Sequence, residues 1–286
     1  MNKDSLGDRM KSYENITRTY LPGRMPVIIR VDGKAFHTFT KGFKKPFDDI
    51  LMRVMQETAA ALCREIEGVK VAYTQSDEIS LLITNNDTWE TQPWFGNNLQ
   101  KMVSVAASIA TWIFNKVFWR ELNDYNNTMP FEAAGTSEEH ELLEAYCQAC
   151  GKGALFDARA FVLPADEVCN YFIFRQQDAI RNSIQAVGQA NFSHKELMNK
   201  SCEDIKQMLV EKNIKWESIP ISHQRGICVI KKPTKVKTQI ISMKTGTHME
   251  MTRNRWTVDD NIPLFWEDRK YIDSLFNHGG ENHNET

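Results

Sequence analysis

No stretch of this 286-residue chain approaches the roughly 18 uninterrupted apolar residues that a membrane-spanning helix needs. The opening residues, MNKDSLGDRMKSYE, are polar and lack the apolar segment of a secretory signal. The expectation is therefore a cytoplasmic protein without a membrane partner, whose six cysteines (Cys63, Cys147, Cys150, Cys169, Cys202, Cys228) stay reduced. Cys147 and Cys150 form a C-x-x-C with no second one to complete a zinc site, so they read as two cysteines on one helix. Gly33 starts no G-x-x-x-x-G-K-[ST], which excludes a P-loop, and the absence of G-x-S-x-G and H-E-x-x-H removes those hydrolase classes. An excess of one charge is lacking too. The 35 Lys and Arg against 37 Asp and Glu leave a net −2, which excludes a molecule that is basic all over. No internal repeat or low-complexity linker is visible.

Hydrophobic residues make up 42% and charged residues 25% of the chain, enough for a sizeable core in one large domain or two moderate ones. A helix is expected over 4–20, ended by Pro22-Gly23, and a strand over 26–31. A helix from Pro46 to Ile66 places Leu51, Met55, Thr58, Leu62 and Ile66 on one face. Strands over 69–73 and 79–84 are joined by a hairpin turn at Thr74 to Asp77. A long helix from Trp94 to Asn123, a loop over 126–138 and a fourth strand over 155–163 follow. Helices are expected over 165–187, from Ser193, where Ser193-x-x-Glu196 has the form of a capping box, and over 201–212. Strands close the chain at 227–230, 236–242 and 247–256. The β-α-β-β-α-β order points to an α+β fold, an antiparallel sheet with helices packed on one face. The best division is a catalytic sheet domain over 1–164 and a helical and β-hairpin region over 165–275, whose hairpins can rejoin the first sheet. A disordered tail is expected over 276–286.

Two stretches pair a carboxylate with a β-branched run: Val27-Ile28-Ile29-Arg30-Val31-Asp32-Gly33-Lys34, and Thr74-Gln75-Ser76-Asp77-Glu78-Ile79-Ser80-Leu81-Leu82-Ile83. Asp32 stands where a strand ends, before a glycine that lets backbone come close to a ligand. Asp77 and Glu78 stand at the bend entering a strand. Neighbouring strand side chains face opposite ways, so Asp77 is the expected ligand and Glu78 the residue that orients a neighbour. With the Gly33 carbonyl, Asp32 and Asp77 can hold two divalent cations, about 4 Å apart, against a triphosphate. That arrangement points to nucleotidyl transfer. A turn at Asp32-Gly33 and a polar hairpin at Asp77-Glu78 account for the same residues without chemistry. Phe36 and His37 can lie against a base or sugar, and Lys44 and Lys45 can reach triphosphate oxygens, although a lone His is more often a satisfied core residue. Lys231, Lys232, Lys235 and Lys237 cluster on one segment, followed by Lys244, Arg253 and Arg255. They can track RNA phosphates or form a solvated strand face.

Together, R-V-D-G-K-A-F-H (30–37) and T-Q-S-D-E-I-S-L-L (74–82) resemble the tRNA-histidine guanylyltransferase family. G-D-R-M-K-S-Y-E (7–14), F-K-K-P-F-D (43–48), V-S-V-A-A-S (103–108), F-D-A-R (156–159) and F-R-Q-Q-D (174–178) carry the resemblance across residues 7–275. It implies a polymerase-type palm, related to nucleotide cyclases, and a nucleotidyltransferase that uses two Mg²⁺ ions. It implies 3′–5′ addition at the tRNA 5′ end: the 5′-phosphate is activated with ATP or GTP, and the 3′-hydroxyl of an incoming GTP attacks it. Matched residue by residue, Asp32 and Asp77 are catalytic, and Asp32, Gly33 and Asp77 hold metal. Asp32, Gly33, Lys34, Ala35, Phe36 and His37, with Ser76 and Asp77, match nucleotide-contacting motifs. Arg30, Lys45 and Lys101 fall near triphosphate-contacting cations. The implied partners are tRNA, nucleoside triphosphates and further copies of the chain in a homotetramer built from dimers.

One departure is informative. Eukaryotic members carry H-I-N-N-L-Y-N where this chain has Ile180-Arg181-Asn182-Ser183-Ile184-Gln185-Ala186, and Asn98 stands where they have a triphosphate-contacting Arg. This looks like the guanylyltransferase-like branch found in bacteria, archaea and some protists. The resemblance then implies templated repair of 5′-truncated tRNA over addition of a single G to tRNA-histidine. A nucleotide cyclase on the same palm and a non-catalytic RNA-binding module are the alternatives. The basic segment is of more use to an RNA enzyme than to a cyclase. Paired carboxylates repel phosphates unless metal intervenes, which counts against the binding module.

Overall fold

The structure, a computed structural model, describes residues 5–128, 137–241 and 248–276. In chain order the elements are α1 (Ser5–Ile16), β1 (Val27–Gly33), α2 (Phe36–Phe39), α3 (Asp49–Glu65), β2 (Val69–Gln75), β3 (Glu78–Ile83), α4 (Leu99–Thr128) and α5 (Ser137–Lys152). They continue with β4 (Phe156–Val162), α6 (Val168–Asn191), α7 (His194–Leu197), α8 (Cys202–Glu211), α9 (Ile221–Arg225), β5 (Ile227–Ile241), β6 (His248–Asp259) and α10 (Lys270–Asp273). The strands form one sheet in the order β4-β1-β3-β2-β5-β6, and every neighbouring pair is antiparallel. The first four, linked through α3 and α4, are the split β-α-β arrangement that the element order predicts.

Strand alternation decides which side of the sheet each residue meets. Val27, Ile29 and Val31 face α3 and α4, where they pack with Val54, Leu62, Ala106, Ala110 and Phe114. Burying side chains of this kind contributes about 1.5–3 kcal/mol each, so this layer supplies much of the driving force. α4 is long and apolar enough by composition to cross a membrane, but its Ala106, Ala110, Phe114, Val117 and Phe118 lie in the core beneath the sheet. Ile28, Val71, Tyr73, Leu82 and Cys228 face the other way, against Val168, Cys169, Phe172 and Ala179 of α6 and the C-terminal Ile262, Phe265 and Ile272. Helices therefore cover both faces, which corrects the expectation of one covered face. The second face carries Arg30, Glu78 and Ser80 between its apolar residues, so it reads as solvated until α6 brings polar partners to it.

The boundaries moved for identifiable reasons. α3 starts at Asp49 and not at Pro46, because the Asp48 carboxylate caps it by accepting from the Leu51 N–H at 2.9 Å. β2 runs on to Gln75, leaving a two-residue turn at Ser76-Asp77. The capping box at Ser193 is present, and a second one sits at Ser201 with Asp204. β5 is one strand of 15 residues where two were expected. Pro233 is accommodated because β5 pairs with β2 only from Ile227 to Ile230, and beyond that the β5–β6 hairpin leaves the sheet with an open edge. The expected boundary at 164 falls between β4 and α6, and the segment beyond it supplies β5 and β6 to the same sheet. Lys244, the loop over 129–136 and the tail from 277 lie outside the described residues.

Candidate active site

The end of β1 and the β2–β3 turn meet at one end of the sheet. Asp32 is paired with Glu78 across the β1–β3 ladder, and the Gly33 N–H donates to the Asp77 carbonyl at 3.1 Å. Two conformational requirements hold this corner. Ser76 takes a left-handed φ of 54° in the tight turn, and its hydroxyl donates to Asp77 Oδ1 at 3.1 Å. A Cβ on Gly33 would collide with the Phe36 ring, so only glycine fits there. The Phe36 ring packs against Phe39, Phe114 and Phe156 with centroids 5.0, 5.4 and 5.2 Å away. This corrects one expectation: the Phe36 side chain is 6% exposed and anchors its loop in the aromatic core, so it offers no open ring face for a base. His37 is exposed, with Nε2 3.1 Å from the Thr38 hydroxyl.

The three acidic residues divide by their partners. Glu78 is gripped by Arg175 of α6, whose Nε and Nη2 donate to its two oxygens at 2.7 Å each. Arg175 in turn meets Asp178 at 3.1 Å, and Asp178 also pairs with Arg181. Arg30 stands 3.8 Å from both Asp32 and Glu78. Burial pushes the Glu78 carboxyl above the ordinary range, and Arg175 works against that. Burial also pushes the Asp77 carboxyl up; the Ser76 hydroxyl opposes this, while the charges of Asp32 and Glu78 add to it. Among the described residues no Lys or Arg pairs with Asp77. Its carboxylate therefore lacks the compensating charge that Glu78 has.

A divalent cation fits that imbalance. Among the described residues no cluster of three or more His, Cys, Asp or Glu forms an all-protein cage. Two carboxylates and a backbone oxygen match the habit of Mg²⁺, which keeps waters and completes its shell with substrate phosphates.

A cavity of about 610 Å³ opens beside the corner, a size typical of small-molecule sites. Of the residues expected to bind nucleotide, Gly33, Ala35, Phe36, His37, Lys45, Ser76 and Asp77 line it, together with Lys44. Asp32 lies just behind them on β1, and Arg30 points with Asp32 to the α6 side. Lys34 is exposed, its N–H bonded to the Leu155 carbonyl at 2.8 Å. Lys101 is not brought to the site. It lies in the first turn of α4, 5.9 Å over the Phe95 ring. The part of α4 that reaches the site end is Thr111, which accepts from the Phe156 N–H, and Phe156 stands opposite Gly33. Ten residues of helix separate the two, about 15 Å. Asn98, at the position of the absent Arg, serves the fold instead. It is buried and accepts from the Lys101 N–H at 3.1 Å as the cap of α4.

The sequence reading missed what α6 and α9 contribute. Arg175 and Asp178 belong to the noted F-R-Q-Q-D motif, and their i,i+3 spacing is the signal that they share a helix face. Asn182, Ser183 and Ala186, from the stretch that departs from the eukaryotic pattern, line the cavity, as do Ser222 and His223. On the hairpin, Lys231 lies 4.9 Å over the Trp256 ring and Lys232 pairs with Asp259 at 3.1 Å. Lys235 and Lys237 stand opposite Thr252 and Glu250 in the ladder, and their side chains lie outside the described residues.

The sequence model for tRNAHis guanylyltransferases matches residues 7–164. The chain is 45% identical to a bacterial tRNA(His) guanylyltransferase-like protein solved in complex with ATP, with a TM-score of 0.74, covering 95% of this chain and 98% of that one. The probable tRNA(His) guanylyltransferase of Bos taurus is 25% identical over 274 residues, covering 86% of this chain and 81% of that protein. The tRNA(His) guanylyltransferase of Saccharomyces cerevisiae, at 18% identity, shares the fold with a TM-score of 0.59 over 80% of this chain and 93% of its own.

Proposed function

The chain belongs to the tRNA-histidine guanylyltransferase family, and from that premise we propose that this nucleotidyltransferase extends the 5′ end of tRNA in the 3′–5′ direction, preferring templated repair of 5′-truncated tRNA. The observation that carries the reading is the corner itself. Gly33 and Asp77 line a cavity of nucleotide size with Lys44 and Lys45 on its wall, and Asp32 adjoins them on β1.

In this reading Asp32, Asp77 and the Gly33 carbonyl hold two Mg²⁺ ions. When bound, the ions activate the attacking hydroxyl and stabilise the leaving group. The residues of the chain do the rest. Arg175 keeps Glu78 occupied, so Glu78 fixes the entry to β3 and leaves the cation to Asp32 and Asp77. Lys44 and Lys45 meet triphosphate oxygens as point charges. In the activation step a 5′-phosphate oxygen of the tRNA bonds to the α-phosphorus of ATP and pyrophosphate leaves. In the transfer step the 3′-hydroxyl of the incoming nucleotide bonds to that 5′-phosphorus and AMP leaves. The lysines of the β5–β6 hairpin track the tRNA backbone, and the protein works in the cytoplasm as a homotetramer.

Templated addition is favoured because the Ile180–Ala186 stretch, which replaces the eukaryotic motif, forms part of the cavity wall through Asn182, Ser183 and Ala186. Base pairing then supplies selectivity, and the protein need read only the shape and backbone of the acceptor stem. The test offers two substrates, a tRNA lacking its first 5′ nucleotide and full-length tRNA-histidine. Each is supplied with a 5′-monophosphate plus ATP and again with a 5′-triphosphate, which separates activation from transfer. The truncated tRNA should gain the base complementary to its 3′ partner at the higher kcat/KM. A preference for full-length tRNA-histidine, with only G added whatever the opposing base, would identify a dedicated guanylyltransferase instead.

A further inference from the structure

The Lys44–Lys45 segment of the cavity wall hangs between two buried anchors. On one side, Phe43 packs on Phe118 and Tyr146, with ring centroids 5.8 and 4.8 Å away. On the other, the buried Asp48 carboxylate collects three donors. Its Oδ1 accepts from the Leu51 N–H at 2.9 Å. Its Oδ2 accepts from the Lys44 N–H at 3.1 Å and from the Tyr146 hydroxyl at 2.6 Å. Asp48 therefore does more than cap α3, because it also fastens the Lys44 backbone. Two of its donors belong to the same segment of chain, and the third comes from α5. Burial, with the Asp48 carboxylate beside it, raises the Tyr146 pKa far above the ordinary phenol range, so the hydroxyl stays a donor. α5 also presses on the start of this loop: at Gly42, where φ is 88°, a Cβ would come 2.8 Å from the Ala145 side chain. Lys44 Nζ lies 5.9 Å over the Tyr125 ring, which meets Tyr146 edge-on at 5.6 Å. The packing of Tyr146 needs only its ring. Its hydroxyl is spent on Asp48, as a short bond to a carboxylate of the strong kind.

We propose that Tyr146 is a positioning residue for nucleotidyl transfer: through Asp48 it fixes the Lys44–Lys45 backbone and so sets where the two ammonium groups stand against the triphosphate. The proposal rests on the reading of Lys44 and Lys45 as triphosphate contacts. A lysine is a point charge on a flexible stem, so its reach is defined by where its backbone is held. Tyr146 touches no substrate itself and acts only through that backbone.

The test is calorimetric binding of GTP and GMP to the full chain, with kinetics of GTP addition to a 5′-triphosphorylated tRNA. Tyr146→Phe keeps the ring and its packing and removes only the hydroxyl. It should weaken GTP by about three- to tenfold and leave GMP unchanged. The KM for GTP should rise by the same factor while kcat holds. Asp48→Asn, which breaks the same link from its other end, should show the same GTP-selective loss. Lys44→Ala combined with Lys45→Ala should weaken GTP and spare GMP. Adding Tyr146→Phe to that pair should cost little more, because the groups through which it acts are gone. A Tyr146→Phe protein that unfolds cooperatively and binds GTP normally would overturn the proposal. So would an equal loss for GTP and GMP, a fall in kcat at unchanged KM, or a full additive loss on top of the lysine pair. If the lysine pair weakens GTP and Tyr146→Phe does not, the positioning role is wrong and the reading of the lysines stands. If the lysine pair binds GTP normally, both fall.

Discussion

Arg175→Met removes the group that compensates a buried carboxylate beside the candidate metal ligands. The Glu78 and Arg175 side chains are 13% and 10% exposed, and both carboxylate oxygens are taken by the guanidinium at 2.7 Å. Removing one member of such a pair costs about 3–5 kcal/mol, because the partner charge stays buried. Glu78 retains weak substitutes, Arg30 at 3.8 Å and the Ser80 hydroxyl at 3.3 Å, so the lower end, about 3 kcal/mol, is expected. At about 2–4 °C per kcal/mol for a chain of this size, Tm should fall by roughly 6–12 °C. Arg175→Met combined with Glu78→Gln removes both charges and should recover most of the loss. The pH dependence has a definite sign. Burial already raises the Glu78 carboxyl above its unfolded value, and without Arg175 it rises further. A raised carboxyl contributes its stability below the unfolded pKa and loses it as pH climbs through the folded value. The deficit of the single variant should therefore be large near about pH 7.5 and shrink toward about pH 5. Thermal unfolding in EDTA, followed by circular dichroism at both pH values, measures all of this. A single-variant loss under about 1 kcal/mol, or a double variant no more stable than the single, would refute the coupling.

Asp32→Ala and Asp77→Ala should each remove nucleotide addition while keeping the circular dichroism spectrum, and Glu78→Ala should damage the chemistry less than either. Turnover in EDTA, or full activity of Asp77→Ala, would end the metal assignment. Changing Lys231, Lys232, Lys235 and Lys237 to Ala should weaken tRNA binding and flatten its salt dependence by up to about 0.7–0.9 in log–log slope for each phosphate no longer neutralised. An unchanged slope would return the hairpin lysines to the role of a solvated strand face, in which Lys232 serves only its pair with Asp259.

The palm was legible because its strands are short β-branched runs at regular intervals around one amphipathic helix. The nearness of Asp32 and Asp77, the candidate metal ligands, was legible for the same reason: each ends or opens such a run, so the sheet brings them together whatever the rest of the chain does. What could not be read was long-range. Glu78 looks like one more acidic turn residue until α6, some hundred positions later, delivers Arg175. Phe36 looked like a base platform because its neighbours are cations, yet its ring meets Phe114 and Phe156, which sequence spacing cannot bring to it. Lys101 failed in the opposite way. Helical rise carries it away from the site that the rest of α4 approaches. The cavity wall from α9 had no local signal, since a five-residue helix has too little periodicity to show a face.

The two faces of the sheet divide the labour of the site. The loop from Gly33 to Phe39 is held from the α3–α4 side by ring packing among Phe36, Phe39, Phe114 and Phe156, contacts that do not depend on charge. Asp32, Glu78 and Asp178 are balanced from the α6 side by Arg30, Arg175 and Arg181. Negative charge brought by a nucleotide would act on Asp77, Lys44 and Lys45 in the cavity and on the carboxylate–arginine network beside it, while the ring contacts have no charge to respond. The ring contacts that hold the loop presenting Gly33, Ala35 and His37 carry no charge, so they do not depend on whether a nucleotide is bound. Precision in the loop and tolerance of charge at the carboxylates would conflict if one set of contacts had to supply both. Placing the site where an apolar face and an ionic face meet is what removes the conflict.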